Sequence, residues 1–238
     1  MIKGLKSVLG FLTIIPVGMY FNPRDVARHV WLFPVVGGFI ALVAAVLYDL
    51  LGYILPAHIA AAFALFALLI LTGFHHLDGL LDFGDGAMHV GNAESRRKVM
   101  HDVNTGAGGF ALGFFVLIIT YAALAETVSI YPGLIAAEAS AKFSMVLGAF
   151  VGRAAHDGVG STFARTVDAR LFLLTLFVYL LFLAILPLGK GILVFVAVIV
   201  SSLSMTVISS RLFGGVSGDV LGAINEITRM TVLVVLLL

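Results

Sequence analysis

The 238-residue sequence contains no cysteine, which excludes disulfides, thiolate nucleophiles and cysteine metal sites; any metal must be held by oxygen or imidazole. Charge is scarce as well. Asp, Glu, Lys and Arg make up 11% of the residues, where a soluble domain carries about a quarter. The formal net charge of +1 leaves no field of the kind that attracts nucleic acid or an acidic protein partner. No repeat of fixed period, low-complexity tract or long linker is found, so residues 1–238 are expected to form a single domain.

Hydrophobic residues fill the space these absences leave. They account for 61% of the chain, and the mean hydropathy is +1.13. Apolar stretches approaching the length needed to cross a hydrocarbon layer about 30 Å thick recur along it. Hydropathy predicts spans near 31–54, 59–77, 107–127, 132–151, 171–187, 191–210 and 220–238. The expected fold class is therefore all-α: a polytopic integral membrane helical bundle of about seven transmembrane helices. The fourth span is the weakest, because it carries Glu138 and Lys142 at i and i+4; the pair neutralises itself on one face and places this helix either inside the bundle or partly at the interface. At the start, Lys3 and Lys6 accompany Leu5, Leu9, Leu12 and Ile15, the pattern of an N-terminal interfacial helix lying in the lipid bilayer surface.

Orientation follows from the basic residues. With the N-terminus in the cytoplasm, the cytoplasmic segments hold Lys3, Lys6, Arg24, Arg28, the run Arg96, Arg97 and Lys98, and four further arginines, while the opposite loops hold only Lys190. This predicts a multi-pass protein of the cell membrane.

Polar chemistry gathers on that same face. Between the second and third spans, Asp78, Asp82 and Asp85 lie at i, i+4 and i+7, which on a helix keeps them within an arc of about 60°. His75 joins this face, whereas His76 points away and is either a packed histidine or a substrate contact. No Lys or Arg occurs between Arg28 and Arg96 to offset the three carboxylates, so a cation is expected there. Oxygen ligands without thiols suit Mg²⁺, which commonly also takes substrate phosphates. Asp78, Asp82 and Asp85 are thus the expected metal ligands, and a diphosphate the expected substrate class.

Three other clusters share the face. Arg96 and Arg97 precede Asp102, Asn104 and a glycine-rich helix start; they read either as a phosphate cradle or as contacts to lipid headgroups. Arg153, with His156 and Asp157, could clamp a phosphate. Gly215, Gly218 and Asp219 open the last span, with Glu226 on the face of Asp219 and pairing with Arg229. Asp219 is a catalytic candidate, either completing a metal shell or acting as general base.

HLDGLLDFGDG, from His76 to Gly86, and GGVSGDVLGA, from Gly214 to Ala223, resemble the cobalamin synthase family, the adenosylcobinamide-GDP ribazoletransferases. FLTIIPV, WLFPVVGGFIAL and HDVNTGAGG appear in the family's order, so the resemblance spans the chain. It implies a Mg²⁺-dependent membrane enzyme that joins adenosylcobinamide-GDP to α-ribazole or its 5′-phosphate and releases GMP. On this reading Asp82, Asp85 and Asp219 are catalytic, and His75, His76, Arg96, Arg97, Asp102, Asn104, Arg153, Gly215 and Gly218 bind substrate. Two departures stand out. Where the family often reads Asp-Ser-Arg, this chain has Asp102, Val103 and Asn104, so a phosphate-contacting arginine must come from Arg96, Arg97 or Arg153. The family's Gly-Gly ahead of His-Leu-Asp is Phe74 and His75 here.

Two rivals remain at this level. A CDP-alcohol phosphotransferase would show Asp-Gly-x-x-Ala-Arg, but Asp78 and Gly79 are followed by Leu80, Leu81, Asp82 and Phe83. A cation transporter would place its carboxylates near the bilayer midplane rather than at helix ends. Oligomeric state is open, and a homo-oligomer is compatible with the sequence.

The charge asymmetry generates a topological prediction. A single cysteine introduced at position 92 should react with a membrane-impermeant reagent only after cells are permeabilised. Labelling in intact cells would reverse the orientation.

Overall fold

The computed structural model describes residues 2–18 and 22–238; positions 19–21, at the end of the N-terminal segment, lie outside the described residues. Among the described residues, twelve α-helices follow one another in chain order: α1 (Ile2–Leu12), α2 (Pro23–Ala27), α3 (Phe33–Gly52), α4 (Ala57–Leu71), α5 (His75–Met88), α6 (Ala93–Met100), α7 (Ala107–Ala125), α8 (Ile130–Val151), α9 (Val159–Thr166), α10 (Ala169–Leu183), α11 (Leu188–Phe213) and α12 (Gly218–Val235). No strand occurs among the described residues, and one isolated parallel bridge joins Ala154 to Val216. The all-α bundle is as the composition predicts.

Four helices are long and apolar enough to cross a membrane: α3 with the 3-10 turn before it, α7, α8 and α11. The pairs α4–α5 and α9–α10 pass the same test only when joined, and they bend by 89° and 96°. We read α4 and α10 as short spans from which α5 and α9 turn aside, which gives six. The seventh expected span is α12, an 18-residue helix carrying Asp219, Glu226 and Arg229, and it is too charged to count by composition. Its middle is sheltered by its neighbours, so its charges meet protein and not lipid.

The core forms around α8. From Ala136 to Ala149 every residue is buried, against α3 on one side and α12 on the other, with α10 and α11 closing the wall. Small side chains make this possible: Ala136, Ala137, Ala139, Ser140 and Ala141 let neighbouring helices approach closely, as membrane bundles require. The outer faces are apolar, with Phe110, Phe114, Phe177 and Val200 exposed.

At mid-depth the bundle buries a set of charges. Lys142 donates to Glu138 at 3.2 Å and to Asn225 at 2.7 Å, Asn225 donates to Glu226 at 3.0 Å, and Arg229 bonds both Glu226 and Glu138. Sequence spacing foresees the pairs within each helix. The cross-helix bonds from Arg229 to Glu138 and from Lys142 to Asn225 are what the structure adds. Two carboxylates and two cations sum to zero, which meets the condition for burying charge at all.

The elbow between α4 and α5 is made by Gly73 and Phe74, both at φ +60°. Glycine adopts this left-handed conformation freely, whereas a side chain costs about 1–2 kcal/mol there. Phe74 recovers part of this through its ring contact with Phe66 at 6.3 Å.

Candidate active site

The carboxylates meet where α5 crosses α12. A Cβ added at Gly79 would come within 2.8 Å of the Asp219 backbone, so the two helices touch main chain to main chain and only glycine fits between them. One turn along, the backbone of His76 lies against Gly222. This close crossing sets Asp219, in the first turn of α12, beside Asp78 and Asp82 on α5. Ser217 caps α12 by accepting from the Val220 N–H at 3.3 Å, and its hydroxyl donates to Asp219 Oδ2 at 3.3 Å.

Electrostatics identify Asp82 as the centre of the group. It is half-buried, and burial first, then the charges of Asp219, Asp78 and Asp85, push its carboxyl up to about 7. This is the signature of negative charge gathered without a local counter-charge. No three His, Asp or Glu side chains among the described residues form a ready-made cation cage. The donor set nevertheless fits a hard cation that keeps its waters and shares substrate oxygens, since Asp78 and Asp82 present free carboxylates at an exposed rim.

Asp85, expected with Asp78 and Asp82 on the metal, is otherwise engaged. Its two oxygens accept the N–H groups of Gly106 at 2.7 Å and Gly109 at 2.8 Å, binding the N-terminal turn of α7 where backbone donors lack helical partners. His75 is exposed on the rim. His76 is buried, and its Nδ1 has no hydrogen-bond partner among the described residues.

The basic run has a use that sequence reasoning did not weigh. Arg96 donates to the carbonyls of Gly86, Ala87 and Gly91, at 3.0, 2.7 and 3.2 Å, closing the C-terminal end of α5. Arg97 donates to the Phe213 carbonyl at 2.6 Å, at the end of α11. Both therefore hold helix ends, in keeping with the preference of cations for that pole. Asn104 donates twice to one Asp102 oxygen at 2.9 Å, forming an exposed turn that holds the Asp102 carboxyl below its ordinary value.

Arg153 differs. Its guanidinium is exposed and makes no hydrogen bond or ion pair among the described residues, while its carbonyl accepts the Val216 N–H at 2.7 Å. Gly215, at φ +157°, packs against that same carbonyl, and this is how the 153–155 loop is welded to the loop opening α12. Gly218 is exposed, with open space around it. Asp157 pairs with Arg165 at 2.8 Å, and His156 meets the His101 ring edge-on at 5.3 Å. The structure thus gathers Asp78, Asp82, Asp219, Gly218 and Arg153 around the start of α12, and assigns Asp85, Arg96 and Arg97 to holding the surrounding helices.

These assignments separate two substitutions. Asp82→Asn removes a repelling charge and should raise the thermal midpoint of the metal-free protein while abolishing turnover. Asp85→Ala strips the cap from α7 and should cost about 1–2 kcal/mol of stability in denaturation measurements. Equal effects from the two would show that the carboxylates are not divided in this way.

Comparison with known proteins bears on the whole chain. Residues 4–237 match the family described as cobalamin-5-phosphate synthase. Among curated relatives, the adenosylcobinamide-GDP ribazoletransferase of Methanocella arvoryzae is 33% identical, with 98% of this chain and 94% of the relative covered. Proteins of the same name from Pyrococcus abyssi and Thermococcus kodakarensis are 34% and 35% identical, each aligned over 98% of this chain and over 97% and 98% of their own lengths. No solved structure matches. With a match running from α1 to the end of α12, this chain belongs to the cobalamin-5-phosphate synthase family.

Proposed function

We propose that this protein is an adenosylcobinamide-GDP ribazoletransferase, joining adenosylcobinamide-GDP to α-ribazole or its 5′-phosphate and releasing GMP. The product is adenosylcobalamin or its 5′-phosphate. The observation that carries the reading is the uncompensated carboxylate group at the α5–α12 crossing, within a chain whose relatives bear this name. Its acidic face is directed toward the cytoplasm of the cell membrane, a placement supported by the basic residues on the loops of that face.

Asp78 and Asp82 would hold Mg²⁺, which when bound supplies positive charge against the substrate diphosphate and the phosphate that departs. Arg153, with its guanidinium free, binds the diphosphate from the other side of the α12 opening. Gly218 leaves room for phosphate oxygens to reach the backbone there. Asp219 is the general base. Ser217 occupies its Oδ2, which leaves Oδ1 to take a proton from an incoming hydroxyl.

In this arrangement the 3′-hydroxyl of ribazole gives its proton to Asp219 as its oxygen bonds to the phosphorus nearer cobinamide. The bond from that phosphorus to the bridging oxygen breaks, and GMP leaves with the oxygen. Exposure of the site suits a substrate as bulky as a corrin, most of which must remain outside the membrane.

Purified protein given Mg²⁺, adenosylcobinamide-GDP and α-ribazole should form cobalamin and GMP one for one, and GMP only when α-ribazole is present. An isotope in the cobinamide-side phosphate should be recovered in the nucleotide loop of the product. Its appearance in GDP or free phosphate would refute the proposed bond cleavage, and absence of cobalamin would refute the activity.

A further inference from the structure

We infer that the buried set Glu138, Lys142, Asn225, Glu226 and Arg229 is a positioning device for the active carboxylates, fixing the register of α12 against α8 and so the place of Asp219 beside Asp82. The inference rests on the proposed role of those carboxylates. None of the five residues lies at the acidic rim: each is at most 1% exposed, and Glu226 stands seven residues, about 10 Å, along α12 from Asp219.

The argument begins with α12 as a shared element. Its first turns touch α5 at Gly79 and His76, and its middle is bonded to α8. The two contacts lie on one rigid helix. A slip of one residue along α8 would therefore carry Asp219 about 1.5 Å and turn it by about 100°, enough to take it out of the cluster.

Apolar packing alone resists such a slip poorly here. Around the charged pair α8 is built largely of small residues, Ala136, Ala137, Ala139, Ser140 and Ala141, and larger side chains such as Met145 and Val146 meet α12 only toward its start, so shape complementarity at the level of the pair is low. Charges discriminate where methyl groups do not: displacing Arg229 from Glu138 would strand both in an apolar interior. Stability is a weak explanation for keeping four charges there, because buried ion pairs are often replaceable by apolar residues without loss. Specifying one register is the use that remains.

The network also has an α5 side. His76, one turn before Gly79, is buried with Nδ1 unpartnered, and Arg229 keeps Nη2 unpartnered. No hydrogen bond links His76 to the set among the described residues, so α5 is held to α12 by close packing. That packing sets the distance between α5 and α12, and the directional bonds of Glu138, Lys142, Asn225 and Arg229 add the constraint along the axis of α12 that non-directional contact lacks.

Two charge-neutral double variants test this. Glu138→Met with Lys142→Met cuts both links from α8 while leaving Glu226 and Arg229 paired on α12. Glu226→Gln with Arg229→Met cuts only the arginine link and leaves Glu138 paired with Lys142. Mn²⁺ binding is read by electron paramagnetic resonance on purified protein in detergent, alongside kcat and KM with adenosylcobinamide-GDP and α-ribazole. Both variants should fold, with Mn²⁺ affinity and kcat falling by about tenfold or more in the first and less in the second, and with KM nearly unchanged. Folded variants that match wild type in Mn²⁺ affinity and kcat would overturn the inference, as would failure of both to fold, which would make the set a structural requirement only. Wild-type protein that binds no Mn²⁺ would instead sink the metal reading, and the inference with it.

Discussion

A charge inside an apolar bundle is tolerated only beside its opposite, and this constraint organises the molecule. At mid-depth it is satisfied: Glu138 and Glu226 face Lys142 and Arg229, and the sum is zero. At the rim it is not. Asp78, Asp82 and Asp219 come together where α5 crosses α12, with burial and mutual repulsion raising Asp82 and, among the described residues, no basic side chain paired to any of them. The first arrangement is complete in itself. The second carries negative charge with no counter-charge beside it, which is the physical difference between the two groups.

Much of this was legible in the sequence, for identifiable reasons. Span positions follow from solvent chemistry, because a helix crossing hydrocarbon must be apolar over nearly its whole length. The shared face of Asp78 and Asp82 follows from helical period. Glu138 with Lys142 and Glu226 with Arg229 were visible as pairs within a helix, since neighbours at i+3 and i+4 always lie close. The bonds from Arg229 to Glu138 and from Lys142 to Asn225 were not, because which face of one helix meets which face of another is a tertiary fact.

Other contacts that the sequence did not show have the same character. Asp85 satisfies the period that places it with Asp78 and Asp82, yet its oxygens go to the N–H groups of Gly106 and Gly109, some twenty residues away. Arg96 and Arg97 read as phosphate or headgroup contacts because their side chains are basic and their carbonyl partners belong to distant helix ends. The bend after α4 was hidden for a different reason: it depends on Phe74 adopting a conformation that its residue type disfavours. The seven expected spans become four that stand alone among the described residues and two more when each bent pair is read as one, with α12 set apart because that helix is solvated by its neighbours and not by lipid.

The two arginines of α6 have a mechanical consequence. Adjacent in sequence, they splint two different helix ends, α5 through Arg96 and α11 through Arg97, so that this part of the rim forms a stiff collar. The flanking loops are held otherwise. The 101–106 segment keeps its shape by a side-chain turn at Asp102, and residues 156–158, beyond the backbone bonds that fix Arg153 and Ala155 to Val216, by the Asp157–Arg165 surface ion pair, the two loops meeting edge-on through His101 and His156. Bonds of that kind exchange readily with water and are individually worth little. The two touching loop tips are therefore the yielding part of this rim, while the collar beside them keeps its form.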